Sequence, residues 1–205
     1  MKPMLLKVLT EKVKLPEKVY IQEKLDGIRC IWNGSEMLTR TGQVIVSMPK
    51  LLEILKKQFS NIPLDGELFS NELSFKEIIS STRRSENIEE DERIFFYVFD
   101  MPMKNITFRD RLEALENLKY NNRVKLLKTK LVSTNKKTIN DLNIYHNSAE
   151  GSVIRFPDGM YEFGKRSSKA FKIKFFQRRK YEPRPVLHVG WRFTVAVYLP
   201  LPGGI

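Results

Sequence analysis

The 205-residue sequence lacks much of the side-chain chemistry on which small catalytic domains often depend. It contains one cysteine, Cys30, and two histidines, His146 and His188. A single cysteine excludes an internal disulfide and fits a reducing compartment. One cysteine and two histidines cannot form a Cys/His zinc site, and they are poor material for a Ser-His-Asp triad. We interpret Cys30 as a small core residue and both histidines as incidental.

Long apolar runs are also missing. No stretch reaches the length needed to span a membrane, and the opening residues Met1-Lys2-Pro3 do not begin a signal peptide. The sequence contains no internal repeat and no low-complexity segment. We therefore expect a cytoplasmic protein with no membrane partner.

Acidic residues are outnumbered by basic ones, 24 to 36, which gives a net charge of +12. Lys and Arg bind polyanions by releasing condensed counterions, so this excess favours a nucleic-acid partner. A generic basic surface that aids solubility is the alternative. A hydrophobic content of 41% with 13 Phe is enough for a packed core.

One heptapeptide carries most of the functional information. Lys24 lies in Glu23-Lys24-Leu25-Asp26-Gly27-Ile28-Arg29, a K-x-D-G-x-R pattern. Asp26-Gly27 predicts a tight turn, because Asp bonds its own backbone and Gly accepts positive φ. An amine at such a turn can approach a nucleotide, and Arg29 offers a fork of donors to phosphate or ribose oxygens. A β-hairpin with a solvated Lys and Arg is the alternative, because short motifs also occur by chance.

Four further motifs follow in order. They are Leu64-Asp65-Gly66-Glu67-Leu68, Arg93-Ile94-Phe95-Phe96-Tyr97-Val98-Phe99-Asp100-Met101, Glu150-Gly151-Ser152-Val153-Ile154-Arg155 and Ala170-Phe171-Lys172-Ile173-Lys174. With the first motif, they make residues 18–175 resemble the covalent nucleotidyltransferases, and most closely the adenylation domain of small phage-type or viral-type ATP-dependent DNA ligases.

Hairpin and periodicity signals predict an α+β fold with antiparallel sheets. Strands are predicted at 19–21, 28–32, 37–40, 94–99, 124–132, 152–156, 161–163 and 170–176, with a two-residue hairpin turn at Asn33-Gly34. Helices are predicted from Ser47 and Pro49, from Thr107 and over 138–145. The resemblance implies the same class: two antiparallel sheets, flanked by helices, that form a nucleotide-binding groove in a ligase-type, ATP-grasp-like nucleotidyltransferase domain.

We expect residues 1–175 to form the nucleotidyltransferase domain and 176–205 to be a short tail or truncated remnant. Members of the family continue into an OB-fold, and the 31 residues after Lys174 are too few for its five strands. The OB-fold is therefore expected to be incomplete here, and its supply by a separate chain remains open. The 23 residues before Lys24 leave no room for a nicotinamide-binding domain, which favours ATP as the donor.

The resemblance implies a role for each motif. Lys24 becomes joined to AMP, and Lys172 and Lys174, on one face of a strand, contact the α-phosphate. Glu67 lies near the ribose and the metal, and Glu150 lies near the catalytic metal, which is Mg²⁺ or Mn²⁺ because hard cations take carboxylates together with phosphate. Each fragment taken alone fits an ordinary turn or a solvated basic strand equally well.

The remaining candidate residues would bind the nucleotide. By resemblance, the Phe99 ring stacks on adenine and Arg40 contacts phosphate or the DNA strand, although a solvated hairpin arginine is the alternative. Gln22 lies two residues before Lys24, where related enzymes read the adenine amino group. Phe95, Tyr97 and Phe99 share one face of their strand by alternation, and Phe96 points oppositely.

The expected function is that of an ATP-dependent DNA ligase or its catalytic core, acting as a monomer on nicked double-stranded DNA through lysyl-AMP and 5′-adenylated DNA. Three alternatives stay open: an RNA ligase, a capping guanylyltransferase, and a truncated ligase-like protein that binds nucleotide or DNA without full sealing.

Overall fold

The computed structural model describes residues 1–84, 92–145 and 150–174, and within these ranges it contains ten strands and four helices. The strands are β1 (Leu5–Val8), β2 (Lys18–Glu23), β3 (Ile28–Trp32), β4 (Met37–Thr39), β5 (Leu64–Phe69), β6 (Phe95–Asp100), β7 (Val124–Leu126), β8 (Thr129–Ser133), β9 (Gly151–Arg155) and β10 (Arg166–Lys174). The helices are α1 (Pro49–Gln58), α2 (Phe75–Thr82), α3 (Phe108–Glu116) and α4 (Ile139–Leu142). Residues 176–205, the predicted tail, and both histidines lie outside the described residues.

The strands form two five-stranded sheets. The first sheet has the order β1-β10-β9-β2-β8 and the second has β4-β3-β5-β6-β7. This confirms the α+β class, but each sheet is mixed and not purely antiparallel. The parallel pairs are β1 with β10 and β6 with β7. The second pair is parallel because α3 lies between its strands, which lets the chain cross over and enter β7 in the direction of β6.

Each sheet contributes to its own core. The larger core joins the second sheet to α1 and includes Trp32, Leu55 and Phe96, each 0% exposed. The other lies on the first sheet around Ile21 and Ile154. Cys30 is fully buried in the larger core, as predicted, and burial raises the pKa of its thiol, which makes it unreactive.

Three predictions of strands and turns were wrong in detail. The predicted strand 124–132 is two strands in different sheets, because the chain leaves the second sheet after Leu127, whose N–H donates to the Val98 carbonyl, and then enters the first sheet as β8. Residues 161–163 are not a strand, and the chain turns there at Gly164, which has φ +68°. The loop between Trp32 and Met37 has four residues, because the Asn33 Oδ1 accepts hydrogen bonds from two successive backbone N–H groups beyond Gly34.

The helix starts follow local chemistry. The predicted helix starts at Thr107 and Thr138 are confirmed, and both threonine side chains cap their helices, although α3 ends at Glu116 and α4 at Leu142. Ser47 does not cap α1, since its hydroxyl instead donates to the buried Thr82 carbonyl. Two strands, β1 and β5, and the helix α2 were not predicted, although Ser74 and Glu77 form a capping box at the start of α2. No helix in the described ranges has the length and apolar composition to cross a membrane.

Candidate active site

A cavity of about 240 Å³ is lined by residues from both sheets. Seven of the candidate residues line it: Gln22, Lys24, Arg29, Arg40, Glu67, Phe99 and Lys172. They come from segments up to 150 residues apart in the chain (172 − 22). The pairing of the strands therefore brings together residues that the sequence related only by motif.

Lys24 follows directly after β2 and lies beside the acidic residue of the fourth motif. Its backbone N–H donates to the Gly151 carbonyl at 3.0 Å, and its Nζ forms an ion pair with the Glu150 carboxylate. Gly151 has φ +132°, and a Cβ there would lie 2.1 Å from the Ile173 carbonyl oxygen. Only glycine fits that position, so the backbone itself brings Glu150 to Lys24. Glu150 is not one of the residues that line the cavity, but its carboxylate contacts Lys24, which does line it.

The segment between Lys24 and Ile28 is a connection from one sheet to the other and not the predicted tight turn. Gly27 does not have positive φ. A side chain at Gly27 would place its Cβ 2.2 Å from the Leu68 carbonyl oxygen. The glycine is therefore needed for the close approach of this connection to β5.

Arg29 and Asp65 form a bidentate ion pair at the cavity wall. The Nε and Nη2 atoms of Arg29 donate to the two carboxylate oxygens at 2.6 Å each, and Nη2 also donates to the Met4 carbonyl at 3.1 Å. Burial alone lowers the pKa of Arg29, but the charge of Asp65 and the hydrogen bonds to it raise the pKa overall. Two of the nitrogens expected to meet the nucleotide are thus bonded to the protein.

Glu67 lies opposite Arg29 in the register of β3 and β5. Burial raises the pKa of the Glu67 carboxyl to about 7, against the opposing effect of Arg29 and Lys24. Desolvation is therefore stronger here than two nearby cations. Any further cation that enters the cavity would therefore stabilise the ionised form of Glu67.

Phe99 is the extra residue of a β-bulge in β6. The register runs from Asp65 opposite Asp100 to Gly66 opposite Val98, so Phe99 has no partner in β5. Its ring lies under two guanidinium groups, with the Arg29 carbon 4.9 Å and the Arg155 carbon 5.4 Å from the ring centre. Bulges are common beside active sites because they re-aim a side chain.

Gln22 is 1% exposed, and its amide is bonded on both sides. Its Nε2 donates to the Phe99 carbonyl and to the Thr129 hydroxyl, at 3.0 Å each, and its Oε1 accepts from Arg155 Nε at 2.7 Å. The carbonyl oxygen retains one lone pair but almost no exposed surface. In this structure the Gln22 amide is hydrogen-bonded to the protein and holds the Phe99 backbone.

Arg155 is a site residue that was not predicted, although it ends the fourth motif. It is 4% exposed and donates from Nη1 to Asp100 at 2.7 Å. The same carboxylate accepts from Arg111 on α3 at 2.7 Å. Buried charges persist only when paired, so this network connects both sheets and α3 behind the Phe99 ring. The signal available in the sequence was an arginine directly after the apolar residues of the fourth motif.

The remaining candidates lie at the rim or on β10. Arg40 is exposed in the turn after β4. Lys172 lies on β10, where it is paired with Val153 of β9. Its side chain points to the cavity, on the side opposite to the buried Ile173. The backbone of Lys174 lies opposite Gly151, but its side chain is outside the part of the molecule that the structure describes.

The carboxylates of Glu67 and Glu150 could bind a magnesium ion whose other ligands are water molecules and phosphate oxygens. Glu67 and Glu150 both interact with Lys24, and the described residues contain no group of three or more His, Cys, Asp or Glu able to hold a metal. Mg²⁺ is commonly bound by one or two carboxylates with waters and phosphate oxygens. The high pKa of Glu67 fits this arrangement, because a bound cation would favour its ionised form.

Comparison with known proteins identifies the family of this chain. The family described as "ATP dependent DNA ligase domain" matches residues 3–174. A DNA ligase of Haemophilus influenzae is 33% identical over 158 residues, which cover 75% of this chain and 57% of that protein. The chain thus spans little more than half the length of this curated relative.

Solved structures show the same fold. A structure of Chlorella virus DNA ligase-adenylate matches with a TM-score of 0.67 and 25% identity, over 84% of this chain and 67% of that one. A Lig E DNA ligase, described as binding DNA with a minimal scaffold, matches with a TM-score of 0.72 and 24% identity, over 85% of this chain and 69% of that one. The bacteriophage T7 ATP-dependent DNA ligase in complex with ATP matches with a TM-score of 0.63 and 14% identity, over 84% of this chain and 68% of that one.

Proposed function

The chain belongs to the ATP-dependent DNA ligase domain family, and from this premise we propose that it transfers AMP from ATP to Lys24 and then to the 5′ end of a nick in DNA. In the first step the Lys24 amine, without its proton, attacks the α-phosphorus, the bond to the bridging oxygen breaks and pyrophosphate leaves. A 5′-phosphate oxygen of the DNA then displaces Lys24 from AMP. Attack by the neighbouring 3′-hydroxyl finally releases AMP and closes the strand.

The placement of Lys24 is the observation that carries this proposal. It is the only lysine of the chain in a K-x-D-G context, it lines the cavity, and its amine meets the Glu150 carboxylate. An ammonium cannot attack phosphorus, so the ion pair must open and the proton must leave before transfer. Glu150 is the acceptor placed to take that proton or to hold the amine until ATP is bound.

The walls of the cavity suit the two ends of a nucleotide. The Phe99 ring offers a flat surface for adenine, and Gln22 supports it from behind through the Phe99 carbonyl. Lys172 and Arg40 line the cavity and supply positive charge to the phosphates, and Arg29 contributes charge while paired with Asp65. We propose the same role for Lys174, two residues beyond Lys172 in the sequence.

Glu67 and Glu150 are the residues that would hold Mg²⁺ or Mn²⁺. Such an ion, when bound, would offset the negative charge of the phosphate oxygens. Residues 1–175 are proposed as the transferring domain, which the family match to residues 3–174 supports, with 176–205 as a separate tail. A monomer suffices for this chemistry, since both sheets of the site come from one chain.

Transfer of label from α-labelled ATP, analysed after denaturation, tests the proposal. We expect the wild-type protein with magnesium to retain label from ATP and not from GTP. Lys24→Arg should retain none, because a guanidinium keeps its charge but is not a nucleophile at neutral pH. Label that persists on Lys24→Arg would show that another residue is the nucleophile.

The substrate is tested with the labelled protein. We expect it to pass AMP to nicked DNA and to seal it, whereas a nick in RNA should be a poor acceptor. Preference for RNA would identify an RNA ligase, label from GTP would identify a capping enzyme, and no label from either would leave only nucleotide or DNA binding.

A further inference from the structure

A row of side chains crosses the second sheet from the cavity to the far edge. The strand register places Arg29 opposite Glu67, Glu67 opposite Tyr97, and Tyr97 opposite Lys125. Residues opposite one another in neighbouring strands share a face of the sheet, so Tyr97 and Lys125 lie on the face that carries Glu67. Three inter-strand spacings of about 4.8 Å put Lys125 about 14 Å from Arg29.

Two further aromatic rings lie beside Tyr97 of this row. Phe95 is on the same face of β6, and Phe69 is opposite Phe95 on β5. Tyr97 contacts both in edge-to-face geometry, with ring centres 6.0 Å from Phe69 and 6.4 Å from Phe95. All three rings are partly exposed, whereas Phe96, on the other face of β6, is fully buried. We call Phe69, Phe95, Tyr97 and Lys125 the aromatic face.

Lys125 brings a positive charge to this face. Its Nζ lies 3.9 Å from the centre of the Phe95 ring and 5.6 Å from that of Tyr97. It makes no salt bridge with any described residue, unlike Lys50, which pairs with Glu92. The rings orient the ammonium group through their negative faces but leave its charge available to an anion.

We propose that the aromatic face binds the DNA strand beside the nick, with Lys125 on a backbone phosphate and the rings against sugars or bases. This inference rests on the proposed function. A nucleotide chain carries anionic phosphates, which suit the Lys125 ammonium group, and sugars and bases, which suit the flat apolar rings. The distance of about 14 Å corresponds to about four steps of 3.4 Å along a DNA strand, so Lys125 meets a phosphate several nucleotides from the reacting end.

Binding of a fluorescent nicked duplex by wild type and Lys125→Met, measured over a range of salt concentrations, tests the proposal. Methionine keeps the apolar stem against the rings and removes the charge. We expect affinity to fall about fivefold at 0.15 M salt and the slope of log K against log salt to become shallower by about 0.9, because one phosphate contact is lost. Lys125→Arg should restore both, since guanidinium also stacks on aromatic rings.

Lys130→Met is the matched control. Lys130 also lies over a ring, 5.4 Å from the centre of Tyr145, but it pairs with the buried Ile21 and so faces away from Gln22 and the cavity. Its replacement should leave DNA binding unchanged, and neither methionine variant should alter labelling of Lys24 by ATP, which needs no DNA.

Two results would overturn the proposal: equal affinity and slope for Lys125→Met and wild type, or equal losses for Lys125→Met and Lys130→Met. Failure of Lys24 to take up AMP in the wild type would instead contradict the proposed function. The binding measurement would still decide the role of the aromatic face, because it needs no transfer.

Discussion

At the scale of single residues, Glu67 has the most unusual environment. Burial raises its pKa to about 7, although Arg29 and Lys24 both favour its ionised form. Because the folded protein holds this proton more tightly than the unfolded chain, the folded state binds more protons between the ordinary pKa of 4.5 and about 7. The contribution of Glu67 to stability therefore falls as the pH rises through this window.

Glu67→Gln in metal-free protein should reveal how much stability is lost when the Glu67 carboxyl ionises. We expect the variant to be more stable than the wild type at pH 8, by roughly 1–3 kcal/mol, because it removes a desolvated carboxylate. The difference should disappear near pH 5, where the wild-type carboxyl is neutral. Urea unfolding at both pH values measures it, and a difference that is the same at pH 5 and pH 8 would contradict the raised pKa.

Phe99→Ala tests the adenine platform. We expect KM for ATP in the labelling of Lys24 to rise by the equivalent of about 1–3 kcal/mol, the contribution of one base–aromatic stack. The free energy of unfolding should change less than it does for a core ring, because Phe99 is partly exposed. An unchanged KM would mean that the base binds elsewhere in the cavity.

At the scale of elements, β6 separates packing from binding by simple alternation. Phe96 and Val98 are fully buried in the larger core, whereas Phe95, Tyr97 and Phe99 are partly exposed. The sequence predicted this division between two faces, but not the exposure of the second one. What alternation could not predict is the bulge at Phe99, because it depends on how β5 pairs with β6.

Phe96→Ala should therefore act on stability. Removal of a fully buried ring should lower the free energy of unfolding by roughly 3–5 kcal/mol. In protein that remains folded, KM for ATP should stay near the wild-type value. The assignment of the two faces would be wrong if Phe96→Ala were as stable as wild type but impaired in its use of ATP.

At the scale of the whole molecule, the net charge of +12 governs the encounter with DNA. We expect AMP transfer from Lys24 to nicked DNA to be readily measured at low salt and to fall steeply toward physiological salt, because each phosphate contact contributes a slope of about −0.9. Labelling of Lys24 by ATP should persist over the same range. Transfer that is insensitive to salt would indicate a DNA contact of another kind.

Local chemistry explains which parts of the molecule were predictable. The threonine caps of α3 and α4 and the alternation of β6 involve neighbours within four residues, so composition and period were sufficient. The order of the five motifs likewise indicated the family and the candidate residues of the site.

Long-range pairing determined the rest. Distant segments are joined by the parallel pairing of β1 with β10 and by the division of 124–132 between two sheets. They are also joined by the hydrogen bonds of Arg29 to Asp65 and of Arg155 to Gln22. Some side chains that were predicted to bind a ligand are hydrogen-bonded within the protein, because buried polar groups need hydrogen-bond partners. The sequence by itself determined which chemical groups this protein has and their order along the chain, whereas only the tertiary structure decided which of them face the cavity.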